Sequence, residues 1–231
     1  MKNILIASTS TLHNGSYLEY LLPELRTFFG NCTEIIFIPY ARPSGISHDD
    51  YTQKVREAFS KINIQVNGIH EFEDPIKAIE NAKGIFTGGG NTFLLVSQLY
   101  KTKVIDMLET VVKNGTPYLG TSAGSNICGL TMNTTNDMPI VYPPSFRTLG
   151  FLSFNINPHY LDPIADSTHM GETRETRIHA FHHFNPQPVV GLREGSWLAV
   201  KGNSIKLKGN LTARIFKRNE TPFEVTPETE L

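Results

Sequence analysis

Short, unbroken apolar runs alternate with stretches of helical period through the first half of the chain. Ile4-Leu5-Ile6-Ala7, Ile35-Ile36-Phe37-Ile38, Gly84-Ile85-Phe86-Thr87 and Thr116-Pro117-Tyr118-Leu119 are brief and continuous, as in strands buried on both faces of a parallel sheet. Between the first two, Leu18, Leu21, Leu22, Leu25, Phe28 and Phe29 recur at helical spacing, with Gly30 as a stop and Pro23 as a break in the pattern. The same spacing returns at Tyr51, Val55, Ala58 and Phe59, at Ile76 and Ile79, after Thr92, and from Val104 to Val112. Ile62-Asn63-Ile64-Gln65-Val66 alternates, and so do Leu152, Phe154 and Ile156, the latter predicting a strand that ends at Asn157-Pro158-His159.

The last third changes period. Val189-Val190-Gly191-Leu192, Ser196-Trp197-Leu198-Ala199-Val200, Ile205-Lys206-Leu207 and Ala213-Arg214-Ile215-Phe216 are short strands parted by turns rich in Gly and Asn. The pattern predicts an α/β fold: a mostly parallel sheet with helices on both faces and an antiparallel extension of that sheet near the C-terminus. One domain over 1–231 is expected, with a frayed polar tail at 219–231.

Composition narrows the function classes. Charged residues make up 19% of the chain, the net charge is -1, and Lys and Arg are dispersed, so the footprint of a nucleic-acid or polybasic membrane binder is missing. Cys32 and Cys128 are too few for a disulfide framework or a four-cysteine zinc site, although one disulfide stays open. The N-terminal apolar run is too short for a signal peptide, and no later run approaches a membrane span. A soluble, cytoplasmic protein acting on a small molecule or peptide is expected, as a monomer or homodimer.

Ligands of such sheets gather at the carboxyl ends of the strands, and two glycine-rich turns fall there. Gly120-Thr121-Ser122-Ala123-Gly124 follows an apolar run and has the Gly-x-Ser-x-Gly spacing that exposes a serine on a sharp strand-to-helix turn. Gly88-Gly89-Gly90-Asn91-Thr92 can aim bare amides at an anion but lacks the spacing of a P-loop or dinucleotide fingerprint. The amides of Gly90 and Ala123 are candidate oxyanion donors. His159, just past a strand end, is the candidate base, with Glu194 in the turn Arg193-Glu194-Gly195 as the acid and Asp137 as the alternative. The order Ser, His, acid differs from that of α/β-hydrolases. His183 with Asp162 or Asp166 is a weaker set. His179 and His183 have a zinc-compatible i, i+4 spacing without the zincin glutamate, so no metal is expected; His13, His48, His70 and His169 receive no role.

Gly88-Gly89-Gly90-Asn91-Thr92-Phe93, Ser122-Ala123-Gly124, the block from Thr134 to Val141, Asn157-Pro158-His159, Gly171-Glu172-Thr173-Arg174-Glu175 and Glu194-Gly195 together resemble the peptidase E (α-aspartyl dipeptidase) family over nearly the whole chain. The resemblance implies a fold like that of class I glutamine amidotransferases, no cofactor or metal, and hydrolysis of Asp-Xaa dipeptides. It also implies Ser122 as nucleophile, His159 as base, Glu194 as third member, and Gly90 with Ala123 as the oxyanion hole. Thr121 and Ser125 depart from the bacterial pattern beside the nucleophile, which puts the pocket's shape in question. An aspartyl substrate needs a cation for its side-chain carboxylate, for which Arg174 is the candidate, with Arg177, Arg147 and Arg42 behind it and Asn91 as a further substrate ligand. The rival readings are a cyanophycinase-like hydrolase and a catalytically silent small-molecule binding module on the same scaffold.

Overall fold

The computed structural model describes residues 1–163, 168 and 170–231; Asp166 and His169 lie outside the described residues. Its main sheet carries β1 (Asn3–Ala7), β2 (Glu34–Ile38), β3 (Gln65–Gly68), β4 (Ile85–Thr87), β5 (Tyr118–Thr121), β8 (Ser196–Lys201) and β9 (Ser204–Gly209) in the order β3-β2-β4-β5-β1-β8-β9. The first five run parallel, and β8 and β9 continue the sheet antiparallel beyond β1.

Strand alternation sorts the core into two faces. Leu5 and Ala7 of β1 face α1 (Leu22–Phe29) and α2 (His48–Ser60), whose Leu25, Phe29, Val55 and Phe59 are buried there. Ile4 and Ile6 face α3 (Pro75–Glu80), α4 (Thr92–Lys101) and α5 (Ile105–Asn114), through Ile79, Leu95, Leu99, Leu108 and Val112. The helices therefore cover both faces, as the sequence predicts.

A second sheet was not foreseen. β6 (Asn155–Pro158), β7 (Val189–Leu192), β10 (Ala213–Phe216) and β11 (Phe223–Val225) lie in the order β11-β10-β7-β6, so only β8 and β9 of the C-terminal strands extend the main sheet. β6 and β7 pair in parallel, with α7 (Arg174–Phe184) between them in sequence. The tail expected to fray is held instead: β11 pairs with β10, and the Leu231 amide donates to the Ile205 carbonyl at 2.9 Å.

Local boundaries moved for identifiable reasons. The helical pattern from Tyr17 breaks into a 3₁₀ turn, Glu19–Leu21, and then α1, with Pro23 in the first turn where its missing N–H costs nothing. The strand expected from Leu152 begins only at Asn155, and the one expected at 62–66 spans Gln65–Gly68. Cys32 and Cys128 are both free, and burial pushes the Cys128 thiol far up. Among the described residues no helix is long and apolar enough to cross a membrane.

Ion pairs tie the second sheet together. Arg193 forks onto Asp162 and Glu224 at 2.7 and 2.8 Å, and Arg214 pairs with Glu224 at 3.2 Å and with Glu175 at 3.1 Å. Burial alone would raise the Glu224 carboxyl, but Arg193, Thr212 and Arg214 outweigh it and hold the group at about 2 against an ordinary 4.5. A depressed carboxyl stabilises the fold above its unfolded value and loses that contribution as pH falls through the folded one. Stability is thus expected to decline between about pH 4.5 and about pH 2, and the decline should be shallower in Glu224→Gln when melting is followed across that range.

Candidate active site

The Gly-x-Ser-x-Gly turn closes β5 and opens α6 (Ala123–Asn126). Ser122 sits at φ 54°, ψ -111°, a conformation that costs an L-residue on the order of 1–3 kcal/mol and persists only under surrounding constraint. The glycines leave room for that constraint. A Cβ on Gly120 would come within 2.4 Å of the Gly124 carbonyl oxygen, and one on Gly124 within 2.2 Å of the Thr87 carbonyl oxygen. The Tyr118 hydroxyl donates to the Gly124 carbonyl at 2.9 Å, and the Ser122 amide and the Ser125 hydroxyl both donate to the Ala7 carbonyl, at 3.2 and 2.6 Å. Thr121 and Ser125, the two departures beside the serine, are fully buried. Their side chains pack behind the turn, and the Thr121 hydroxyl has no partner among the described residues.

His159 follows β6 at φ 53°, in the left-handed region. Its Nε2 lies 2.9 Å from Ser122 Oγ, and its Nδ1 lies 2.5 Å from Glu194 Oε1, just past β7. With the carboxylate accepting from Nδ1–H, Nε2 is left to accept from the serine hydroxyl. The imidazole is about one-third exposed and the Glu194 side chain nearly half, so solvent reaches both groups. Tyr20, which the sequence pattern does not single out, reaches the same region. Its hydroxyl donates to the Thr9 carbonyl at 2.6 Å and is pushed far up by burial and, to a lesser degree, by the Glu194 charge.

The glycine turn after β4 is built around one amide. Gly88 N–H donates to the Ile38 carbonyl at 3.2 Å, Gly89 N–H to the Tyr51 hydroxyl at 3.0 Å and Asn91 N–H to the Ala41 carbonyl at 2.7 Å. Gly90 N–H has no such bond among the described residues. At φ 145°, with a Cβ that would fall 2.2 Å from the Ala41 oxygen, position 90 admits only glycine. A Cβ on Gly89 would meet Ser122 Cβ at 2.8 Å, so the turn lies against the nucleophile's turn. Ala123, first residue of α6, has an amide with no intrahelical partner. Tyr51 was legible only as one apolar residue of α2; what the spacing could not show is that its hydroxyl braces the Gly89 peptide.

The remaining candidates part company. Asp137 Oδ2 accepts from Thr92 N–H at 2.7 Å, from the Thr92 hydroxyl at 2.6 Å and from the Thr135 hydroxyl at 2.9 Å, so this carboxylate caps the N-terminus of α4, while Glu194 meets the imidazole. Asn91, expected to bind substrate, spends both ends of its amide on the fold: Oδ1 accepts from Leu94 N–H and Nδ2 donates to the Met138 carbonyl. Arg174 opens α7 and has no carboxylate within ion-pair distance among the described residues. Burial, then the neighbouring Arg177 charge, lowers its guanidinium, against a smaller opposing pull from Asp137. Arg177 pairs loosely with Glu172 at 3.8 Å, Arg147 with Glu109 at 3.0 Å, and Arg42 lies over the Tyr51 ring at 5.0 Å.

Asp162 is taken by Arg193, and His183 lies late in α7 on its exposed side, so those two do not form the weaker set. Among the described residues the group of three side chains close enough to hold a metal ion together is Asp49, His70 and Glu71. There, both Glu71 oxygens already accept from Arg56, at 2.7 and 2.8 Å, and His70 Nε2 meets Asp49 at 2.9 Å, so an ion would have to displace a guanidinium.

Comparison with known proteins places the chain in a family. The model of peptidase family S51 matches residues 4–208. A peptidase E from Streptomyces coelicolor is 47% identical over 229 residues, covering 99% of this chain and 93% of that protein. A probable alpha-aspartyl dipeptidase from Drosophila melanogaster is 43% identical over 233 residues, covering 100% and 96% respectively. The crystal structure of a peptidase from an acI-B1 Actinobacterium superposes with a TM-score of 0.75 at 15% identity, over 100% of this chain and 96% of that one, a likeness of fold.

Proposed function

The chain belongs to peptidase family S51, and from that premise we propose that it is a serine dipeptidase cleaving Asp-Xaa dipeptides through an acyl-enzyme. One observation carries the reading: the unbroken hydrogen-bonded row Ser122, His159, Glu194, at 2.9 and 2.5 Å. As Ser122 Oγ attacks the aspartyl carbonyl, His159 Nε2 takes its proton, and Glu194 holds the tautomer and stabilises the imidazolium. The oxyanion meets the amides of Gly90 and Ala123, which have no hydrogen-bond partner among the described residues. The imidazolium then protonates the leaving amine as the C–N bond breaks, and water, deprotonated by the same imidazole, releases aspartate.

Arg174 supports the substrate class. A partly desolvated guanidinium with no carboxylate within ion-pair distance among the described residues carries a cost, which the side-chain carboxylate of an N-terminal aspartate would offset with a two-pronged bond. A panel of aspartyl, glutamyl, alanyl and arginyl p-nitroanilides tests both points. The aspartyl compound should lead, and Arg174→Ala should lower its kcat/KM by about a hundredfold while leaving the alanyl compound within about threefold. An unchanged aspartyl-to-alanyl ratio would take Arg174 out of the pocket. Equal rates across the panel would remove the aspartyl specificity itself.

A further inference from the structure

The groups of the proposed triad are carried by different sheets: Ser122 follows β5 of the main sheet, whereas His159 and Glu194 follow β6 and β7 of the second. A 2.9 Å contact between side chains so mounted is kept only if the two sheets are fixed to each other at the level of the site. We propose that Ser8, at the end of β1, is the positioning residue that sets this alignment. Its side chain is fully buried, and its one hydroxyl accepts from the His159 amide at 2.9 Å while donating to the Leu192 carbonyl at 2.7 Å.

Both bonds matter to the chemistry. The first fixes the peptide of the residue whose left-handed backbone aims the imidazole. The second anchors the carbonyl of Leu192, the last residue of β7 and two positions before Glu194, and that carbonyl also accepts from the amide of Tyr160 at 3.1 Å. On the other side of the same Ala7–Ser8 peptide, the Ala7 carbonyl accepts from Ser122 N–H and from the Ser125 hydroxyl. The nucleophile's turn is thus held by the carbonyl of one residue, and the base and acid by the hydroxyl of the next. A hydroxyl with both a donor and an acceptor bond is what this junction requires, since methyl in its place would strand a buried N–H and loosen a carbonyl at once.

The inference rests on the triad reading, and its test separates the two. Ser8→Ala should lower kcat for aspartyl p-nitroanilide by about tenfold to a hundredfold, with KM within about twofold, because the reacting groups drift while the substrate's contacts stay. The low-field proton resonance of His159 Nδ1–H, identified by its loss in His159→Ala, should move upfield in the same variant, a readout that needs no turnover. Ser8→Cys fills the space with a poor hydrogen-bonding group and carries the test if the alanine protein does not purify folded. Wild-type kcat and proton resonance in either folded variant would overturn the role of Ser8. Full activity of Ser122→Ala would instead overturn the triad, leaving the resonance to decide for Ser8 alone.

Discussion

Ser122→Ala should lose at least about 10⁴-fold in kcat toward aspartyl p-nitroanilide and melt within a few degrees of the parent. The size of the loss follows from what the side chain does. Its hydroxyl makes the bond to the substrate, and no neighbouring group can replace it, since Thr121 and Ser125 are fully buried behind the turn. The small stability change has its own reason: the strain at position 122 lies in the backbone, and the turn is held by the Ser122 amide and by Ser125, Tyr118 and the flanking glycines rather than by Ser122 Oγ. The measurement is p-nitroaniline release beside a thermal melt. Activity near wild type in the alanine protein would end the assignment of the nucleophile.

The second large effect separates two carboxylates that the sequence left open. Glu194→Gln should lower kcat by about 10² to 10⁴, because an amide donor facing Nδ1 favours the wrong tautomer and no longer stabilises the imidazolium. Asp137→Asn should leave kcat within about threefold and lower the melting temperature by a few degrees. It removes a charge from the N-terminus of α4, a contribution of roughly 0.3–1 kcal/mol, while keeping an acceptor for Thr92 N–H. Steady-state kinetics of the two variants side by side decides the matter, and damage confined to Asp137→Asn would reverse the choice of acid.

The difference between these acids shows how far local reading reaches. Asp137 sits in a polar loop whose composition suits either a turn or a catalytic group, and only the packing of that loop against α4 shows its carboxylate accepting from Thr92. Asn91 shows the same limit. An Asn before a helix is a cap by its nature, and its place beside the glycine turn suggested a ligand for substrate, whereas its amide is occupied by Leu94 and Met138. The second sheet was missed because short alternating strands carry no label for the neighbour they pair with. The paired tail is not legible because its polar residues hide one three-residue strand, β11.

What the sequence by itself determined was local: the order of strands and helices, the glycines that permit the strained serine turn, the bare amides after β4, and a histidine and a glutamate at strand ends. Those follow from periodicity, from excluded volume at Cβ and from helix-end chemistry, all of which act over a few residues. Only the tertiary structure decided which groups meet. Ser122 and His159 are 37 positions apart and His159 and Glu194 are 35, and they come within hydrogen-bonding distance because two separate sheets pack against each other. A bond of that kind depends on the registration of distant surfaces to within about half an ångström, which no local pattern in the chain encodes.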